Sequence, residues 1–330
     1  MKLLVTGGAG FIGSCFIRYM LGKYPDYKII NLDALTYAGN LESLDDIKDN
    51  PNYRFVRGNI CNFELVSMIM ENVDAVINFA AESHVDRSIT GPEIFVETNI
   101  KGTLNLLQCA KQSNIPRYIQ ISTDEVYGTL GETGYFTEDT PLAPNSPYSA
   151  SKASADLLVR SYFETYKMPV IITRCSNNYG PYQYPEKLIP FFISLLLRGE
   201  KVPVYGDGQN VRDWLYVYDH CSAIDAVLHN GRIGEVYNIG GNNEKSNLDI
   251  TRLILKALDK GEDLIRFVDD RPGHDRRYAM CSDKIQNELG WHPSVTFEEG
   301  LNNTIDWYLH NQEWLGNMEI KKEYFDYFVS

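Results

Sequence analysis

Three things this chain has little of narrow its possible roles: long apolar runs, basic charge and cysteine. No stretch approaches the roughly 20 apolar residues of a membrane-spanning helix. The start, Met1-Lys2-Leu3-Leu4-Val5-Thr6, runs straight into glycines, so no secretory leader is expected. Basic residues are outnumbered: 31 lysines and arginines face 44 acids, a formal net charge of −13. That balance disfavours nucleic acid or an anionic membrane as partner, since both call for basic surface. Cysteine is sparse and unpaired in pattern, with Cys15, Cys61, Cys109, Cys175, Cys221 and Cys281 scattered and no CxxC. These read as thiols of a cytoplasmic protein, not as a disulfide frame or zinc site. The histidines show no metal-ligand spacing, and no metal is expected; His220 and His229 read as packing or surface residues.

What is present is strand-helix alternation. Candidate strands are 2–6, 28–32, 53–57, 75–79, 118–122 and 170–174, with helical patterns at 11–23, 95–113 and 150–166. Alternation of this kind predicts an α/β fold with a doubly wound parallel sheet. The stretch 128–147 reads as a loop. After about Asn177 the alternation weakens. Helical patterns at 188–198, 248–258 and 297–311 and a strand at 236–239 predict a smaller α/β lobe interleaved with the first.

Gly7, Gly10 and Gly13 follow the first strand and open a helix. That placement suits a tight turn whose backbone approaches a pyrophosphate at a helix N-terminus. Asp33 stands twenty positions beyond Gly13, where a carboxylate accepts from an adenosine ribose. No Arg or Lys lies in 34–41 to meet a 2′-phosphate, so NAD is expected over NADP. Asn59-Ile60 is placed to meet the adenine edge.

The chemistry-bearing set is Thr123-Asp124-Glu125 with Tyr148 and Lys152. A Tyr and a Lys four apart share a helix face, and the ammonium is expected to lower the phenol pKa. Tyr19/Lys23 and Tyr24/Lys28 show the same spacing, so spacing alone is weak and those two pairs read as surface features. Two adjacent carboxyls at a strand end would line the ligand crevice. A simple alcohol dehydrogenase would not need them.

With 80–88 (Ala-Ala-Glu-Ser-His-Val-Asp-Arg-Ser), 123–128 (Thr-Asp-Glu-Val-Tyr-Gly), 177–181 (Asn-Asn-Tyr-Gly-Pro), Arg212-Asp213-Trp214 and 271–278, the sequence resembles the extended short-chain dehydrogenase/reductase family over essentially its whole length. Within it the likeness is to the nucleotide-sugar 4,6-dehydratases, and Asp124-Glu125 is the specific mark. The resemblance implies a Rossmann-type NAD domain over 1–176, with a returning segment near 213–240, and a nucleotide-sugar lobe mainly over 177–330. It implies NAD contacts from Gly7, Gly10, Phe11, Ile12, Gly13, Asp33, Ala34, Leu35, Thr36, Asn59, Ile60, Phe79, Ala80, Ala81, Ser83, Thr98, Tyr148, Lys152 and Asn178. For the nucleotide sugar it implies Ser83, Thr123, Asn177, Lys187, Leu188, Pro203, Tyr205, Arg212, Asn247, Asp270, Arg271 and His274. Arg276 and Arg277 read as structural or rim residues. The family usually carries Asp where this chain has Asn59, which implies a modestly weaker hold on NAD.

The expected reaction oxidises C4 of a dTDP-linked glucose, removes water across C5 and C6, and reduces C6, supplying deoxysugar (rhamnose-type) biosynthesis. Tyr148, helped by Thr123, takes the O4 proton; Glu125 takes the C5 proton; Asp124 protonates the leaving hydroxyl. The base, thymine or uracil, does not follow from the residues alone. An NDP-sugar 4-epimerase or decarboxylase, or a non-catalytic NAD(H) sensor, remains the alternative. The family also implies a homodimer built on the 95–113 and 150–166 helices.

Overall fold

The computed structural model describes residues 1–270 and 273–318. Seven strands form the main sheet: β1 Lys2–Thr6, β2 Lys28–Asp33, β3 Tyr53–Arg57, β4 Ala75–Asn78, β5 Tyr118–Thr123, β6 Val170–Cys175 and, late in the chain, β10 Val236–Ile239. Their order is β10-β6-β5-β4-β1-β2-β3, and every pairing is parallel. Alternate residues of one strand serve two cores. In β1, Leu3 and Val5 pack with Phe16 and Ile17 of helix Phe11–Lys23 and Ile224 of helix Val217–Asn230. Leu4 packs on the other face with Leu106, Leu107 and Val159. The doubly wound α/β class is therefore as expected. The sheet order reverses beside β1, so the C-terminal ends of β1 and β4 open onto a crevice.

The chain leaves this sheet after β6 and builds β7 Asn177–Tyr179, β8 Val202–Tyr205 and β9 Val211–Tyr216. It returns with helix Val217–Asn230 and β10, then leaves again through β11 Glu244–Ser246 and β12 Ile265–Val268. β7 and β11 flank β9, and β12 pairs with β8. A separate apolar core joins helices Leu188–Leu197, Asn247–Ala257 and Phe297–His310 to these strands.

Two local expectations change. The helix foreseen at 95–113 is broken: Val96–Gly102 winds as a π-helix before the regular Thr103–Gln112. Asn99 within it bonds both the N–H and the carbonyl of Glu82, a lateral tie consistent with the wider turn. The helix foreseen from Ala150 begins at Pro147. Ser146 and Ser149 cap each other's backbone N–H reciprocally, and proline takes the first helical position, both start signals. Tyr148 thus sits in the first turn of the helix, not ahead of it.

Candidate active site

The site grows from the ends of β1, β2, β4, β5 and β6. Gly7 adopts φ +71, and a Cβ there would lie 2.6 Å from the Ala80 nitrogen. Only glycine relieves both constraints. Helix Phe11–Lys23 starts at Gly10 with no side-chain cap, leaving its first N–H groups available to an anion. Asp33 is buried; its carboxylate accepts from Ala9 N–H at 2.9 Å and Leu35 N–H at 2.7 Å. Burial raises its pKa against those two bonds. The glycine cradle followed by a held carboxylate fits NAD.

These groups line a cleft of about 300 Å³. All the residues expected at the dinucleotide border it except Leu35. Leu35 takes φ +54 and contributes the N–H that holds Asp33. Asn59 is in the cleft, but its side-chain oxygen already accepts from Cys61 N–H at 2.8 Å, so only its second lone pair can meet an adenine amine.

The reactive groups close the inner end. Thr123 ends β5 and caps a 3-10 turn, Asp124–Tyr127, with its hydroxyl accepting from Glu125 N–H at 3.3 Å. The turn therefore presents both acids at the strand's C-terminal end. Asp124 is 2% exposed. Burial first, and the Glu125 charge second, push its carboxyl well above the usual range, against the nearby Arg212 guanidinium. Its Oδ1 accepts from Thr123 at 3.2 Å, while Oδ2 has no hydrogen-bond partner among the described residues. The surroundings thus favour the protonated form of Asp124, and one of its oxygens is unengaged.

Tyr148 and Lys152 do share a helix face, but the expected lowering of the phenol pKa is not what the surroundings impose. Burial and then the Glu125 charge push Tyr148 well above its ordinary value, eased by a hydrogen bond with Thr123. The Lys152 ammonium instead donates to the Ile121 carbonyl at 2.7 Å. Burial pulls its pKa down, with Asp156 opposing. The helix spacing was read correctly; the sheet carbonyl beneath claims the ammonium.

A second cleft, of about 170 Å³, opens beside the first. Glu125, Asn177, Glu186 and Lys187 border both. Leu188, Pro203, Tyr205, Arg212, Asn247 and His274 line the second as expected, whereas Ser83 and Thr123 lie on the first. Arg212 is buried, donates to the carbonyls of Val211 and Asp275, and lies 4.3 Å from the Tyr278 ring centroid. Asp270 does not border the cleft; it pairs with the His274 ring nitrogen at 2.6 Å. Arg271 lies outside the described residues. Arg276 pairs with Asp207 and Arg277 with Glu244. His220 is fully buried and bonds the Asn178 side chain at 2.8 Å.

Sequence reasoning missed Glu186. Burial pushes its carboxyl up to about 7, and the Tyr37 hydroxyl donates to it at 3.0 Å. The only sequence cue was its place beside the expected Lys187. The aromatic walls Phe191, Phe192, Trp214 and Tyr278 of the second cleft were also missed, because apolar residues on a helix or strand read equally as core.

A glycine cradle for a dinucleotide, a Tyr-Lys helix and a carboxyl pair on one crevice define an NAD-dependent nucleotide-sugar enzyme of the doubly wound class. The family model described as GDP-mannose 4,6 dehydratase matches residues 4–304, and the chain belongs to this family. Among its relatives, the dTDP-glucose 4,6-dehydratase of Xanthomonas campestris pv. campestris (strain B100) is 53% identical, with 94% of each chain covered. The crystal structure of dTDP-glucose 4,6-dehydratase from Bacillus anthracis in complex with NAD is 56% identical, with TM-score 0.91 over 97% of this chain and 100% of that one. That from Streptomyces venezuelae, also with NAD bound, is 51% identical, with TM-score 0.95 over the same shares.

Proposed function

We propose that this chain is a dTDP-glucose 4,6-dehydratase, an NAD-dependent hydro-lyase that yields dTDP-4-keto-6-deoxy-glucose. The observation that carries the reading is the carboxyl pair: Asp124 buried with its carboxyl pushed up, Glu125 on the border of both clefts. NAD, when bound, supplies the hydride acceptor for C4 and the donor for C6. Tyr148 takes the O4 proton in its phenolate form, and its hydrogen bond with Thr123, which lowers its pKa against burial, orients it. Lys152 steadies that end of the helix through the Ile121 carbonyl. Glu125 removes the C5 proton, made acidic by the neighbouring ketone. Asp124 protonates the departing C6 hydroxyl; two adjoining carboxyls suit this because one stays protonated beside the other's charge. The buried Arg212 fork suits the substrate pyrophosphate, with Lys187 at the junction.

Incubation with dTDP-glucose and catalytic NAD tests this by mass spectrometry and proton NMR. A product lighter by one water, with a new C6 methyl and no net NADH, is expected. An isomer of unchanged mass would mean an epimerase and leave Asp124 without its role.

The division of labour proposed gives 1–176, with 213–240, to NAD and 177–330 mainly to the nucleotide sugar. A homodimer is supported by Ile94 (48% exposed), Val96 (53%) and Leu157 (57%) on helical segments that pack together. Light scattering of wild type and Leu157→Glu checks it: a monomeric wild type would refute the dimer. The six free cysteines, four of them buried, suit the reducing cytoplasm, and the product suits deoxysugar (rhamnose-type) supply.

A further inference from the structure

Beneath the reactive groups lies a buried polar chain that the reaction scheme does not use. Arg174 on β6 donates from Nε to Asp156 Oδ2 at 2.9 Å and from Nη1 to the Tyr127 hydroxyl at 2.8 Å. The Tyr127 hydroxyl in turn donates to Asn238 Oδ1 on β10 at 2.8 Å. The Arg174 side chain is 7% exposed and that of Asp156 1%.

Two members of this chain belong to different halves of the chemistry. Asp156 lies one helical turn beyond Lys152, on the helix that carries Tyr148. Tyr127 is the last residue of the turn that carries Asp124 and Glu125. Gly128 follows at φ +85, so the backbone swings away directly afterwards. The near end of the turn is pinned by the Thr123 hydroxyl. The phenol of Tyr127, stacked on Phe136 at 5.0 Å, pins the far end.

We infer that Arg174 and Tyr127 are positioning residues that set the elimination pair, Asp124 and Glu125, against the oxidation pair, Tyr148 and Lys152. Neither borders the two clefts. An arginine suits the place because its fork bonds two partners in fixed directions, which a lysine ammonium cannot reproduce. The inference rests on the dehydratase reading. If the turn drifts, the two acids miss C5 and C6, while Thr123 and Tyr148 still meet O4. Small misplacement of catalytic groups costs on the order of tenfold or more.

The test is single-turnover kinetics of Tyr127→Phe with dTDP-glucose, following NADH absorbance for C4 oxidation and mass spectrometry for water loss. NADH formation is expected within about twofold of wild type, water loss about tenfold slower, and KM unchanged, so that NADH accumulates. Arg174→Lys keeps the charge beside Asp156 but loses the reach to Tyr127. It is expected to show the same split, and it carries the test should Tyr127→Phe fail to fold. Equal slowing of both steps, or no change in either, overturns the inference. A wild-type protein that forms neither NADH nor dehydrated product refutes the dehydratase reading itself, which separates the two failures.

Discussion

Replacing Asp124 by asparagine separates its chemical role from its structural one. The side chain is buried, and burial and the Glu125 charge push its carboxyl well above the usual range, towards the neutral form. Asparagine is a neutral group of the same shape, and its oxygen keeps the hydrogen bond from Thr123. The fold therefore loses little. The amide cannot protonate a leaving hydroxyl. Loss of a general acid costs about 10²–10⁴ in rate, equivalent to roughly 3–5 kcal/mol of barrier at 1.36 kcal/mol per decade. Rapid mixing with dTDP-glucose should show NADH appearing at nearly the wild-type rate and then persisting, with water loss slowed by that factor. Stability gives an independent check. A carboxyl whose folded pKa is raised keeps its proton after the unfolded chain has lost its own. The native state then binds more protons, so stability falls as pH rises above the ordinary carboxylate range. Asp124→Asn removes this loss, and its thermal midpoint should fall less than that of wild type from pH 4 towards neutrality. If NADH formation collapsed along with water loss, the role given to Asp124 would be wrong.

Glu186 is raised from 4.5 to about 7 by burial, so it contributes a loss of stability as pH climbs through that window; Glu186→Gln should flatten the thermal midpoint there, and an unchanged slope would contradict its burial as a neutral acid. His220 has the opposite sign: burial lowers it from 6.5 to about 3, so stability falls as pH drops below 6.5. His220→Gln should lessen that acid sensitivity, read by urea unfolding at pH 4 and pH 7. Gly7→Ala puts a methyl against the Ala80 backbone at φ +71. NAD affinity measured by calorimetry should weaken by at least tenfold, about 1.4 kcal/mol, and an unchanged affinity would dispute the cradle.

The glycine turn, Asp33, the main-sheet strands and the Thr123-Asp124-Glu125 and Tyr148/Lys152 sets were legible because each rests on a local pattern. Glycines, a strand end and four-residue spacing are visible in a few neighbouring letters. Leu35 was assigned to the dinucleotide but lies off the cleft, since only its N–H matters there. Asp270 was assigned to the nucleotide sugar but does not border that cleft, and it pairs with His274, which does. Glu186 was missed because a lone acid beside a lysine carries no local signal.

The chain by itself determined the class of fold and the chemistry carried, through periodicity, glycine placement and residue type. Tertiary structure decided protonation and partnership. How far the Asp124 carboxyl is pushed up depends first on burial, then on the neighbouring Glu125, and also on charges brought from Arg212 and Asp213, some ninety residues away. Lys152 bonds the Ile121 carbonyl because β5 runs beneath its helix. The polar chain from Asp156 through Arg174 and Tyr127 to Asn238 joins residues up to 111 positions apart in sequence, which meet only after folding. Desolvation and through-space charge act over distance in the fold, and distance along the chain does not encode them.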